Sequence, residues 1–236
     1  MKIFRYIKTL PLALNIAMII SFISIIVIDF YLKDIEEIVS WGSEFGNIYY
    51  RVCLSMIASY VFYFIVIHLK SIKDKENVNK FISFKVSNIL STYNTQINEI
   101  KKLSNNIDEK KYFKLEELEK LFKNINPNAQ APLILGTKYA TWMQYFQYNN
   151  KRTQKNINKI FVQMPFLDSE LVDILAHIED NHHFDIIDLI SSLQFNNKSM
   201  ESFASSFDRY ANLCQKLEVY YDKKLIIYKK VEKKAK

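Results

Sequence analysis

Two apolar runs near the start constrain this chain more than anything else in it. LPLALNIAMIISFISIIVIDFYL occupies residues 10–32 and IYYRVCLSMIASYVFYFIVIHL residues 48–69. A helix crossing a bilayer needs roughly 20 mostly apolar residues, because each adds only about 1.5 Å of rise. Both runs reach that length without an internal turn signal. The rest of the chain is polar, basic and helix-rich. The expected fold is therefore all-α: a two-helix transmembrane hairpin followed by a cytoplasmic α-helical bundle domain. Its segments are a flank (1–9), the first span (10–32), a short external loop (33–47), the second span (48–69) and the helical domain (70–236), which ends in a long basic helix.

Composition narrows the classes further. Only three glycines and four prolines occur, too few for the tight turns of a β architecture. A glycine-rich phosphate cradle is excluded on the same ground. There is no G-x-S-x-G elbow and no cysteine–histidine nucleophile context. The expectation is not an enzyme, and no cofactor is called for. Cys53 and Cys214 have no metal-type spacing and read as reduced, apolar fillers. MKIFRYIK looks like a basic leader. However, the run after it is long for a signal core and lacks a small-residue cleavage site, so a retained signal anchor is expected.

Charge sets the expected orientation. Lys2, Arg5 and Lys8 precede the first span, and Lys70, Lys73, Lys75 and Lys80 follow the second. Between them Lys33 is outnumbered by Asp34, Glu36, Glu37 and Glu44. Basic flanks are retained on the cytoplasmic side, which places both termini there and makes a bacterial inner-membrane, multi-pass protein the expected localisation. The loop is too short to bind external ligands. Its Ile35, Ile38, Val39, Trp41 and Phe45 fit a segment lying along the membrane surface.

Polar residues inside the spans are the candidate assembly positions. Asp29 and Arg51 each lie about one turn from the outer end of their run. Isolated charges at that depth cost a few kcal/mol unless paired or snorkelled. An Asp29–Arg51 ion pair, within one hairpin or between protomers, is one expectation; separate snorkelling beside Tyr49 and Tyr50 in an aromatic belt is the other. Arg51, Ser55, Ala58 and Ser59 share one side of the second span. Ser55-x-x-x-Ser59 and Gly42-x-x-x-Gly46 permit close helix approach. Ala17, Ser21 and Ser24 form a small face on the first span. Packing within the hairpin explains these patterns, and contacts in a homo-oligomer or a pore lining are the alternative. Asn15 and Asp29 are the polar groups best suited to an assembled lumen.

Beyond residue 78 the apolar period is helical. Helices are expected over 78–103, 115–122 and 137–164, then after Pro165 with Asp168 as N-cap, around 185–193, and from Ser199 towards the C-terminus. NINPNAQAP is the clearest interruption. His177, Glu179, Asp180, His182, His183, Asp185 and Asp188 form the one cluster of ligand-type side chains, and a polar helix–turn–helix junction accounts for it better than a metal centre. In the tail, Lys223, Lys224, Lys229, Lys230, Lys233 and Lys234 stand beside Tyr220, Tyr221 and Tyr228. This is a solvated helix end, a surface for anionic lipid, or a nucleic-acid contact that Lys151, Arg152 and Lys155 would extend.

WGSEFGNIYYRVCLSMIASYVFYFIVIHLK followed by QMPFLDSELVDILAHIED resembles a broad group of uncharacterised bacterial two-span proteins. Some similar proteins are membrane-damaging effectors of anti-phage defence loci, including retrons. The resemblance implies a toxin-like effector that forms a homo-oligomer, perturbs the bilayer and is silenced by a regulatory partner, such as a reverse transcriptase with its DNA–RNA product. It carries over no active residue. The alternative function is a membrane-anchored helical scaffold that docks a cytosolic protein or nucleoprotein.

Overall fold

The computed structural model describes residues 6–32, 41–104, 109–191 and 197–228. These divide into two compact units, Met1–Glu76 and Asn77–Lys236. The first unit contains α1 (Leu12–Val27), which continues as a π-helical turn over Ile28–Leu32. It also contains α2 (Gly42–Phe62), which continues as a π-helical turn over Tyr63–His68. Helix α3 (Leu69–Leu103) follows with no break. The boundary between the units falls inside α3, so the helix expected to begin at residue 78 begins at the end of the second apolar run instead.

The all-α class holds, with one addition. In the second unit α4 (Leu115–Lys123) is followed by a two-stranded antiparallel hairpin, β1 (Gln130–Leu135) and β2 (Lys138–Thr141). Four α-helices follow: α5 (Trp142–Phe161), α6 (Ser169–Glu179), α7 (His182–Ser191) and α8 (Ala204–Tyr220), the last continuing as a π-helical turn over Tyr221–Leu225.

The hairpin replaces the start of the helix expected over 137–164. Leu135 pairs with Lys138 around Gly136, whose φ of +64° is the left-handed value a two-residue hairpin turn requires. Helix α5 starts at Trp142 because Thr141 and Gln144 form a capping box. The Gln144 N–H donates to Thr141 Oγ1 at 3.3 Å, and the Thr141 N–H to Gln144 Oε1 at 2.9 Å. Asp168 caps α6 as expected, accepting the Leu171 N–H at 2.9 Å. The helix expected from Ser199 begins at Ala204 instead. A 3₁₀ turn over Glu201–Phe203 leads into α8, and the Met200 N–H reaches Ile125 O at 2.9 Å.

The second unit closes around an aromatic centre. Phe207 on α8 has ring centroids 5.1 Å from Phe122, 5.2 Å from His183 and 6.0 Å from both Phe146 and Tyr93. All five are fully buried. Aromatic pairs at such spacings contribute about 1 kcal/mol each beyond their area burial. Tyr93 is anchored at its polar tip, where its hydroxyl donates to Lys111 O at 2.9 Å.

Candidate membrane-spanning hairpin

Leu12–Leu32 and Gly42–Leu103 are both long and apolar enough to cross a membrane, with best-window hydropathies of 2.4 and 2.1. Only 6% and 11% of those windows are buried within the protein. A core helix of a soluble domain would be mostly buried, so these apolar faces need another covering.

A series of side-chain hydrogen bonds links the two ends and the two apolar helices of the first unit. At one end His68 Nε2 lies 2.9 Å from Thr9 Oγ1 and 3.1 Å from Tyr6 O. The Thr9 hydroxyl already donates to Tyr6 O at 2.7 Å, so the shared proton belongs to His68 Nε2. Next, Tyr60 Oη donates to Asn15 Oδ1 at 2.7 Å, while Asn15 Nδ2 donates to Ile7 O at 3.3 Å. Ser24 Oγ and Tyr49 Oη follow at 3.0 Å. At the far end Tyr50 Oη donates to Asp29 Oδ2 at 3.1 Å. The first three pairs step in opposite directions along the two helices, as in an antiparallel pair, and Tyr50, next to Tyr49 in the chain, reaches on to Asp29. Asp29 and His68 both sit on π-helical turns, where the extra residue per turn re-aims the side chains that follow.

This corrects the expectation of an Asp29–Arg51 ion pair within one hairpin. Within the hairpin Asp29 is met by Tyr50 rather than Arg51, and Arg51 is exposed. Tyr49 and Tyr50, read as an aromatic belt, are also hydrogen-bond partners for the first apolar helix, Tyr49 remaining 42% exposed. The missed signal was the register: a tyrosine on the second run stands opposite each of Asn15, Ser24 and Asp29.

The small faces divide between inside and outside. Ser21 is buried, Ala17 and Ser24 are half-buried, and Cys53 and Tyr60 are the buried side chains of α2. Arg51, Ser55, Ala58 and Ser59 are exposed, so packing inside the hairpin does not use that stripe. A Cβ built at Gly42 or Gly46 would meet nothing within 4 Å. Both glycines open onto a groove of about 350 Å³ lined also by Ile23, Val27, Phe45 and Tyr49.

The other candidate residues lie in the second unit. Lys223 is exposed. Lys224 is not available to an external anion in the way expected: its Nζ is 2.7 Å from Glu170 Oε2 and 3.0 Å from Asp168 Oδ2. Lys229, Lys230, Lys233 and Lys234 lie outside the described residues. The Asp168 carboxylate also accepts from Tyr220 Oη at 2.8 Å. Partial burial pushes the Asp168 carboxyl up, but the Leu171 N–H, the Tyr220 hydroxyl and Lys224 outweigh it and leave the group below its usual range.

The acidic–histidine cluster does not converge. His177 is exposed and its Nδ1 bonds to Asp173 O of its own helix at 2.8 Å. His183 points into the core, stacked on Tyr210 with an interplanar angle of 7°. Its Nδ1 lies 3.1 Å from Ser206 Oγ, whose own proton goes to Phe203 O at 2.9 Å, so His183 donates from Nδ1. Burial lowers its pKa to about 3, and the ring is neutral. Among the described residues no three His, Cys, Asp or Glu side chains are placed to hold a metal ion.

Scanned against protein-family models, curated proteins and solved structures, the chain matches none.

Proposed function

We propose that this protein is a membrane effector whose two apolar helices cross the bacterial inner membrane as a hairpin and assemble with further copies to breach the permeability barrier. The observation that carries the reading is the division of polar groups in the first unit. Asn15, Ser24 and the exposed Asp29 are hydrogen-bonded across the two helices, whereas Arg51, Ser55 and Ser59 form an exposed stripe that none of these bonds uses. A charged and hydroxylated stripe facing hydrocarbon is costly unless another protein surface or water covers it. Small residues at four-residue spacing allow a second helix to approach closely. The helical unit after the spans is the part that a regulatory protein or nucleoprotein would hold silent. Induced expression in bacterial cells tests this. Loss of membrane potential and arrest of growth are expected, and both should be relieved by Ser55→Leu with Ser59→Leu. Full polarisation under strong expression would contradict the effector role.

A scaffold reading is favoured by a different observation. The β-hairpin presents the cross-strand pair Ile134 and Tyr139 at 60% and 58% exposure, an apolar surface suited to a protein partner. It predicts that Ile134→Asp abolishes partner capture while substitutions in the spans do not.

A further inference from the structure

From Lys120 to Leu167 the chain runs 48 residues without an aspartate or glutamate, while carrying six lysines and one arginine. At the overall frequency of 25 acidic residues in 236, about five would be expected there. Four of the seven cations, Lys151, Arg152, Lys155 and Lys159, fall on α5. Turning about 100° per residue, Tyr148, Lys151, Lys155, Lys159 and Val162 lie within roughly 80° of one another. All five are exposed, and the opposite face of the helix buries Thr153, Asn156, Ile157 and Ile160. Lys151, Lys155, Lys159 and Val162 line one shallow groove with Gln154 and Asn158.

Like charges four residues apart destabilise a helix. No carboxylate pairs with these three lysines among the described residues. The next acids along the chain, Asp168 and Glu170, are already held by Lys224. The row ends in exposed apolar side chains: Val162 is 76% exposed, and Met164 and Phe166 in the following 3₁₀ turn are 50% and 40% exposed.

We propose that the Lys151–Lys155–Lys159 face of α5, with Val162 and Met164 at its end, is a docking surface for an anionic bilayer. The proposal rests on the preceding reading only in that the spans would keep a membrane within reach. Lysines contribute diffuse attraction to an anionic leaflet, and exposed aliphatic groups at the end of the row enter the head-group boundary. A phosphodiester backbone would use the lysines but has no use for exposed Val162 and Met164. Single strands are held by aromatic platforms, and of the five stripe residues only Tyr148 is aromatic.

The test uses the full chain reconstituted in vesicles, with an environment-sensitive fluorophore on Val162→Cys and a control label on Asp173→Cys of α6. Vesicles of phosphatidylcholine alone are compared with vesicles containing roughly one-third phosphatidylglycerol. Shielding from acrylamide is read first, and retention after a carbonate wash second. In the anionic vesicles the label at 162 is expected to be shielded several-fold, and the label at 173 unchanged. Replacing Lys151, Lys155 and Lys159 by glutamine should lower the docking equilibrium on the order of 100-fold. Equal quenching in both lipids, or shielding by added single-stranded DNA but not by anionic lipid, overturns the proposal. Release by carbonate contradicts the spanning hairpin and leaves the shielding result standing on its own.

Discussion

The hydroxyl of Tyr60 donates a 2.7 Å hydrogen bond to the side-chain carbonyl of Asn15, joining the two apolar helices at a point where each would otherwise leave a polar side-chain atom unpaired. With the contacts at Ser24 and Asp29 it fixes the register of the hairpin. Hydrogen bonds between helices in a bilayer contribute about 0.6 kcal/mol on average and up to about 1.7. Tyr60→Phe should therefore weaken the hairpin by about 1 kcal/mol, as should Asn15→Leu. In a double-mutant cycle the two should be strongly non-additive, measured by unfolding in detergent. Additive losses would mean that the two side chains do not meet.

At the far end of this series of bonds, exchanging charges between Asp29 and Arg51 should rescue nothing within a single hairpin, because Asp29 is met by Tyr50. Asp29→Arg combined with Arg51→Asp is expected to insert no better than the worse single variant in a membrane-insertion assay. Recovery to the wild-type level would restore the ion pair as the organising contact.

In the second unit Asp168 joins the start of α6 to the end of α8 through Leu171, Tyr220 and Lys224. Its carboxyl lies below the usual range in the folded state. The stabilisation is therefore present above the unfolded carboxylate value of about 3.9 and is lost as pH falls through the lower folded value. Asp168→Ala should cost about 1 kcal/mol at neutral pH through the lost cap. It should also flatten the part of the acid limb below about pH 4, seen in thermal melts followed by tryptophan fluorescence.

His183 acts at higher pH. Its folded pKa of about 3 lies below the unfolded value of about 6.5. Between those values the unfolded chain binds the extra proton, so stability falls as pH drops below about 6.5, by up to about 1.4 kcal/mol per pH unit. Melting temperatures of the full chain in detergent should decline from pH 7 to pH 5, and His183→Phe should remove most of that slope. An unchanged slope in the variant would mean that the ring is not buried in its neutral form.

Much of this structure was legible in the chain because helical apolar period and capping chemistry are local. The run at 10–32, the helix after Asp168 and the short helix near residue 115 appear where their patterns place them, whereas the helix of the second run begins at Gly42, within the expected 33–47 loop, whose residues 33–40 lie outside the described residues. What escaped depended on pairing across distance. The β-hairpin needed Gly136 and the Thr141–Gln144 box to be weighed against a continuous aromatic stripe beginning at Tyr139. Tyr49 and Tyr50 read as an aromatic belt, and Tyr60 carried no reading, until the pairing of the two helices set them against Ser24, Asp29 and Asn15. Lys224 looked like one of a run of tail cations, and only the fold brought Asp168 and Glu170 to it.

The effector role requires the two apolar helices to cross a bilayer together. Single cysteines at Ser43, in the first turn of α2, and at Lys223, an exposed position past the end of α8, probe this directly with a membrane-impermeant maleimide on intact and lysed cells. Crossing as a hairpin predicts labelling at 43 in intact cells and at 223 only after lysis. Labelling of both positions, or of neither, in intact cells would contradict it.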